Sequence, residues 1–335
     1  MSHLPKTIGT CFLLALTGNV AQAQVAKKTA RTVDSSSMTE RGEKLAETGH
    51  CEEALPLLKR SFPQTSDKDL KLRIGFDAVR CAMNLNQSDL AVDFLRMLNR
   101  EFPRSPEVLY LSVHIYSDLS TRASQELANA APTSYQARQL NAEALEVQGK
   151  WDEAEKEYRK ILEENPRTPG IHFRLGRNLL SKPETPMTAE DAKKEFESEL
   201  EIDPRNAGAE YVLGELAREA GQMPEAVEHF TRATRLDGGF GDAFLGLGIV
   251  LIAERRYSDA IPPLETAVKL QPGNPAGHYN LAIAYGREGR KEDAQREAAL
   301  RKATAEKIEQ AKQKGADAMQ KPPSGQEPQK PEPPK

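Results

Sequence analysis

The 335-residue chain is poor in nearly everything from which a thick globular core or an active site is built. Aromatic residues make up 6%, with a single tryptophan, so a hydrophobic share of 38% is carried mostly by Leu and Ala. That composition suits thin layers stacked on one another better than one deep core. Excess charge of one sign is also missing: 46 basic and 50 acidic residues leave a formal net charge of −4. Nucleic acid is therefore excluded as an expected partner, because its binding rests on a concentrated basic surface. After the first residues, no segment is apolar enough to span a membrane, which takes ~20 residues.

Catalytic patterns are missing as well. No two of the six histidines (His3, His50, His114, His172, His229, His278) stand four apart. The metalloprotease, nucleophile-elbow and phosphate-loop motifs are all absent. Gly238-Gly239-Phe240-Gly241 follows no strand pattern and reads as a turn. His172 and His278 read as surface polar groups near helix starts, and Glu163–Glu164 as part of a solvated helix face. His50 precedes Cys51 at a turn, where a structural cysteine is a better reading than a thiol nucleophile. No catalytic residue, metal ligand or cofactor site is assigned.

What is present is periodicity. Residues 241–274 place Phe244, Leu247, Gly248 and Leu251, then Tyr257, Ala260, Leu264, Ala267 and Pro272, at spacings that fit two amphipathic helices. Gly248 and Ala260 lack bulk where paired helices would collide, and the leucines fill the seam. Pro272 cannot continue a helix, while Asn274 and Pro275 suit the cap and first position of the next. The pattern returns in residues 207–240 (Leu213, Gly214, Ala217, Ala226, Phe230) and from Pro275 onward (Leu281, Ala282, Tyr285, Ala294). It returns again in 169–206, with four extra residues near Pro183–Asp191, and in 135–168 around Trp151, Ala154 and Tyr158.

These residues resemble the tetratricopeptide repeat, whose signature is W-x₂-L-G-x₂-Y, then A-x₃-F, then a proline. The resemblance implies an all-α fold, an α-solenoid in which helical hairpins stack into a right-handed superhelix. Weaker copies lie upstream. One is 38–61, with Ala54 and Leu58 in phase; another is 72–105, with Ala78, Ala82, Ala91 and Leu95. Between Arg104 and Ser134, two helices, Val108–Ser117 and Thr121–Ala131, are expected as a divergent hairpin. The domain reading is accordingly 38–134 for divergent repeats and 135–304 for a regular array, about eight hairpins in all. Residues 305–335 are read as a helical extension ending in a Pro-rich, low-complexity tail.

Residues 1–23 carry Lys6, an apolar stretch from Ile8 to Leu16 and Ala21-Gln22-Ala23, the layout of a secretory signal peptide. A membrane anchor is the rival reading, and Cys11 sits too early for a lipoprotein cysteine. Residues 24–37 read as a loose polar linker. Export to a periplasm or beyond would leave Cys51 and Cys81, which the stacked hairpins would bring close. A disulfide between them is expected, two buried free thiols being the alternative.

The family's fold implies that first helices line a concave groove that takes peptides or helices. The positions facing it hold Phe173, Arg177, Tyr211, Glu215, Arg218, Leu245, Ile249, Ile252, Tyr279, Ile283 and Arg287, with Gln139 and Glu143 upstream. Gln139, Glu143, Phe173 and Arg177 stand where some members carry a lysine–asparagine clamp for a chaperone tail, so that ligand is not implied. Core packing alone also explains Tyr211 and Tyr279. The expected function is a non-catalytic scaffold or adaptor for other proteins in the envelope or outside the cell. The alternatives are a docking module of a polysaccharide synthesis or secretion machine and, far behind, an enzyme of unknown type.

Overall fold

A computed structural model of the chain describes residues 37–182 and 188–320. The expected signal peptide, the inserted residues near Pro183 and the Pro-rich tail lie outside the described residues, wholly or in large part. Every regular element described is helical. In order they are α1 (37–47), α2 (Cys51–Ser61), α3 (Lys68–Asn84), α4 (Ser88–Glu101) and α5 (Pro106–Ala130). Then come α6 (Tyr135–Val147), α7 (Trp151–Glu164), α8 (Ile171–Leu180), α9 (Thr188–Ile202) and α10 (Ala207–Glu219). The last are α11 (Met223–Leu236), α12 (Gly241–Ala253), α13 (Tyr257–Leu270), α14 (Pro275–Arg287) and α15 (Lys291–Gln320). The chain divides into two compact units between Ala130 and Ala131.

In the second unit each hairpin closes on the small-against-large seam that the sequence displays. A Cβ added to Gly214 would come within 2.9 Å of the Phe230 ring, and one on Gly248 within 2.4 Å of Leu264. Both partners, like Ala226, Ala260 and Phe196, are fully buried. Consecutive hairpins stack because each second helix meets the next first helix, while α10 touches α12 and α12 touches α14. The first helices therefore form one continuous layer. The unit is an α-solenoid.

The tight turns inside the hairpins share one device. Gly149, Gly221 and Gly289 adopt left-handed backbone (φ +72°, +76° and +77°). The N–H after each glycine donates back to a carbonyl five residues earlier, as Gln222 does to Ala217 at 2.8 Å. Arg255 takes the same conformation without being glycine, at φ +63°. Helix starts are capped from Asn206, Asn274 and Ser134, whose side chains accept from Ala209, Ala276 and Ala137 N–H groups. For α8 the cap comes from the second helix: buried Glu199 accepts from Gly170 N–H at 2.9 Å and from Phe173 N–H at 3.3 Å.

The first unit repeats the hairpin twice, as α1–α2 and α3–α4, around one core of buried Leu58, Ile74, Phe94, Leu95 and Leu98. Cys51 and Cys81 are disulfide-bonded, joining α2 to α3 across a separation of 30 residues. The expected third hairpin is not formed. Residues 106–130 are a single helix of 25 residues. No residue between Ser117 and Ser120 takes the left-handed conformation that ends α3, α6, α10, α12 and α14 (Asn86, Gly149, Gly221, Arg255 and Gly289), so the helix runs on. The described chain thus holds seven hairpins and one lone helix, not eight hairpins.

Candidate functional site

The sequence-predicted groove residues fall on first helices, Gln139 and Glu143 on α6 and the others on α8, α10, α12 and α14, and the structure divides them by what they touch. Phe173 packs edge-on against Phe196 with centroids 5.5 Å apart, and its ring lies 3.1 Å from where a Gly208 Cβ would stand. Tyr211 lies between Phe230 (5.9 Å) and Phe240 (4.8 Å), and its hydroxyl pKa is raised by burial, then by the Glu215 carboxylate. Leu245 and Ile252 pack on the core around Leu264 and Leu281. All four keep part of their surface open, but the seam between repeats uses the rest.

Ile249, half-buried, belongs to none of the core clusters. Tyr279 is 48% exposed, with the Arg301 guanidinium 5.1 Å over its ring. It shares with Ile283, Ala282, Ala294, Ala298 and Arg301 an apolar cavity of about 340 Å³ where α15 lies on α14. Arg177 is exposed, whereas Arg218 donates to Glu215 at 2.6 Å and lies 3.8 Å from Glu219, which fixes it on its own helix. The most accessible apolar residue of the strip is therefore Tyr279, on α14.

Two features escape the sequence reading. One is a larger apolar cavity in the first unit, about 700 Å³, lined by Phe76, Pro106, Glu107, Tyr110, Leu111 and His114. The signal for it is the cap: Ser105 Oγ accepts from Val108 N–H at 3.3 Å, which puts Tyr110 in the register of Tyr211.

The other is a set of histidine–glutamate bridges inside the hairpins. His278 is not the surface group the sequence suggests but is 4% exposed, with Nδ1 2.7 Å from Glu297 and Nε2 3.3 Å from the Pro272 carbonyl. His172 is likewise held, by Glu195 at 2.6 Å and the Pro166 carbonyl at 3.0 Å. Its pKa is raised, first by the Glu195 hydrogen bond, although desolvation opposes this. In the α10–α11 hairpin the polarity is inverted: Glu210 sits on the first helix and His229 on the second, 2.7 Å apart. Allowing for the four inserted residues, the repeat register aligns all three pairs; Phe244 and Pro263 replace them in α12–α13, and Arg138 and Glu157, 3.7 Å apart, in α6–α7. These bridges bolt helix to helix.

Among the described residues no group of three or more His, Cys, Asp or Glu is placed to hold a metal ion, and no helix is long and apolar enough to cross a membrane. A stacked array of this kind, with small-on-aromatic seams and first helices forming one face, defines a helical-repeat protein. Residues 136–178, 189–239 and 251–314 each match a tetratricopeptide repeat family, and the chain is a tetratricopeptide repeat protein. No curated protein matches its sequence.

Among solved structures it is similar to MamA from Desulfovibrio magneticus (16% identity, covering 52% of this chain and 96% of that one, TM-score 0.46). It is also similar to YrrB, described as a TPR protein with an unusual peptide-binding site (20% identity, 54% and 92% covered, TM-score 0.46). A third is PilF of Pseudomonas aeruginosa (21% identity, 51% and 76% covered, TM-score 0.44).

Proposed function

We propose that the protein is an exported, non-catalytic scaffold that binds a peptide or helix of another protein along the first-helix face of α8 to α14. The observation that carries this reading is the half-open apolar strip of Tyr211, Leu245, Ile249, Ile252, Tyr279 and Ile283, flanked by Arg177, Glu215 and Arg218. Ile249 carries most weight, being an aliphatic side chain in that layer outside every core cluster. A partner burying a few apolar anchors there gains roughly 1.5–3 kcal/mol from each before ordering costs, which supports micromolar affinity. Export is supported by the apolar leader in the sequence and by the Cys51–Cys81 disulfide, a bond that persists in oxidising compartments.

The test is identification of what co-purifies with the chain from its native cells, against a Tyr211→Ala/Ile249→Asp double variant. The partner is expected to be lost from the variant while its helical circular dichroism stays unchanged. Retention of every partner by a folded double variant overturns the groove reading. Recovery of the chain solely from the cytoplasmic fraction, with free thiols, overturns export.

A further inference from the structure

The most unusual surface of the molecule is the lone helix α5. Leu109, Tyr110, Val113 and Tyr116 are exposed by 48%, 69%, 67% and 47%, all on one helix face. Their register explains the exposure. At the distance from the cap where Val113 stands, α3 has Gly75, α6 Ala142, α10 Gly214 and α12 Gly248. Each of those small residues lies under the second helix of its hairpin; Gly75, for instance, abuts Leu98, and Gly214 abuts Phe230. In α5 no second helix follows, and a valine beside a tyrosine occupies the place. The exposed face is the one a second helix would cover.

The same face continues past Tyr116 with Ser120, Ala123, Ser124, Leu127 and Ala128. Its N-terminal half is bulky and its C-terminal half small. The Ser124 hydroxyl donates to the Ser120 carbonyl at 2.9 Å, so it presents little unmet polarity. Glu107, His114, Asp118, Arg122 and Glu126 all fall outside this strip, with Arg122 drawn aside to Asp118 (3.0 Å) and Asn86 (2.6 Å). A strip without charge, about 29 Å long at helical rise, is exceptional on a chain that is 29% charged.

We propose that α5 is a self-association surface, on which α5 of a second copy of this chain lies antiparallel about a two-fold axis near Asp118. Antiparallel pairing sets the bulky half of each helix on the small half of the other, with Tyr116 against Ser120 and Val113 against Ala123. A two-fold contact needs such self-complementarity, because each residue meets its partner twice. Parallel pairing would set bulk on bulk and leave the small half empty. With no charge on the strip, neither arrangement buries an unpaired one, but only the antiparallel one fills it.

Sedimentation of the purified full chain over a concentration series tests this. Twice the chain mass is expected at micromolar concentration. Val113→Glu and, separately, Ser120→Arg should each raise the dissociation constant at least about tenfold, because each buries an unpaired charge. A Tyr116→Glu chain mixed with a Ser120→Arg chain should recover the dimer, since antiparallel pairing sets the two new charges together. Helical circular dichroism checks that each variant is folded, which an exposed position favours. A wild-type chain that stays monomeric, a dimer indifferent to both single changes, or a mixture that fails to re-associate overturns the proposal. A monomer that binds an unrelated helix on this face counts against it equally.

Discussion

Helices α5 and α10 start from the same kind of cap and the same register, yet one is covered and the other bare. In α10 the residues facing the second helix are Glu210, Leu213, Gly214 and Ala217, all buried. In α5 the corresponding residues are Leu109, Ser112, Val113 and Tyr116, of which only Ser112 is buried, by α4 through Asn99 at 3.0 Å. The regular helix thus has less apolar bulk and buries it; the lone helix has more and exposes it. Burial in this fold follows from whether the chain brings a neighbouring helix back, not from the hydrophobicity of the helix itself.

The sharpest way to break the contrast is to remove the neighbour's ring. Phe230→Ala leaves a cavity over Gly214 and Gly246 and should cost about 3–5 kcal/mol, read by thermal or urea unfolding of the second unit. Val113→Ala in α5 should change folding stability by less than about 0.5 kcal/mol in the same measurement. Next in size, a Cys51→Ala/Cys81→Ala chain should lose about 3–4 kcal/mol, as expected for a loop of 30 residues. Hydrogen exchange should place that loss in α1–α4 and leave α10–α13 protected.

Smaller effects run the other way. The Asn178 amide is buried with neither its nitrogen nor its oxygen hydrogen-bonded, where the register puts Leu216, Val250 and Ala284 in the next three hairpins. Asn178→Leu should therefore stabilise the second unit by about 1–2 kcal/mol, measured as a raised urea midpoint. Arg255→Gly should add about 1 kcal/mol by relieving a left-handed conformation that glycine adopts freely.

The smallest effect is a slope with pH. His172 has a folded pKa above its ordinary value of 6.5, so its bridge to Glu195 stabilises fully below that value. The contribution is lost as pH rises through the folded pKa. Stability of the wild type should thus fall from pH 6 upward relative to His172→Gln, and parallel curves for the two proteins would contradict the assignment.

Much of this was readable beforehand because repeats display their seams. Gly214 with Phe230 and Gly248 with Leu264 declare themselves by recurrence at one spacing, whichever single copy is degenerate, and the cap Asn274 by its place before Pro275. The disulfide could be expected because two cysteines on neighbouring helices had few other fates. The histidine bridges were hidden, because His172, Glu210 and His278 share a register but not a residue type, and only the second helix supplies the complement. The two-helix reading of Val108–Ser117 and Thr121–Ala131 failed because it carried the phase of the neighbouring repeats across a stretch where Ser120 and Ser124 already departed from it, whereas a helix ends only where something stops it.

Local patterning by itself determined that the chain folds as helical hairpins, where most of them begin and end, and which small residue meets which large one, since those depend on residues a few positions apart. Tertiary structure alone decided how Phe173 and Tyr211 divide between seam and surface, which histidines are buried, and that α5 keeps its apolar face bare. Those depend on whether another helix arrives to cover a face, and no residue within the face records that.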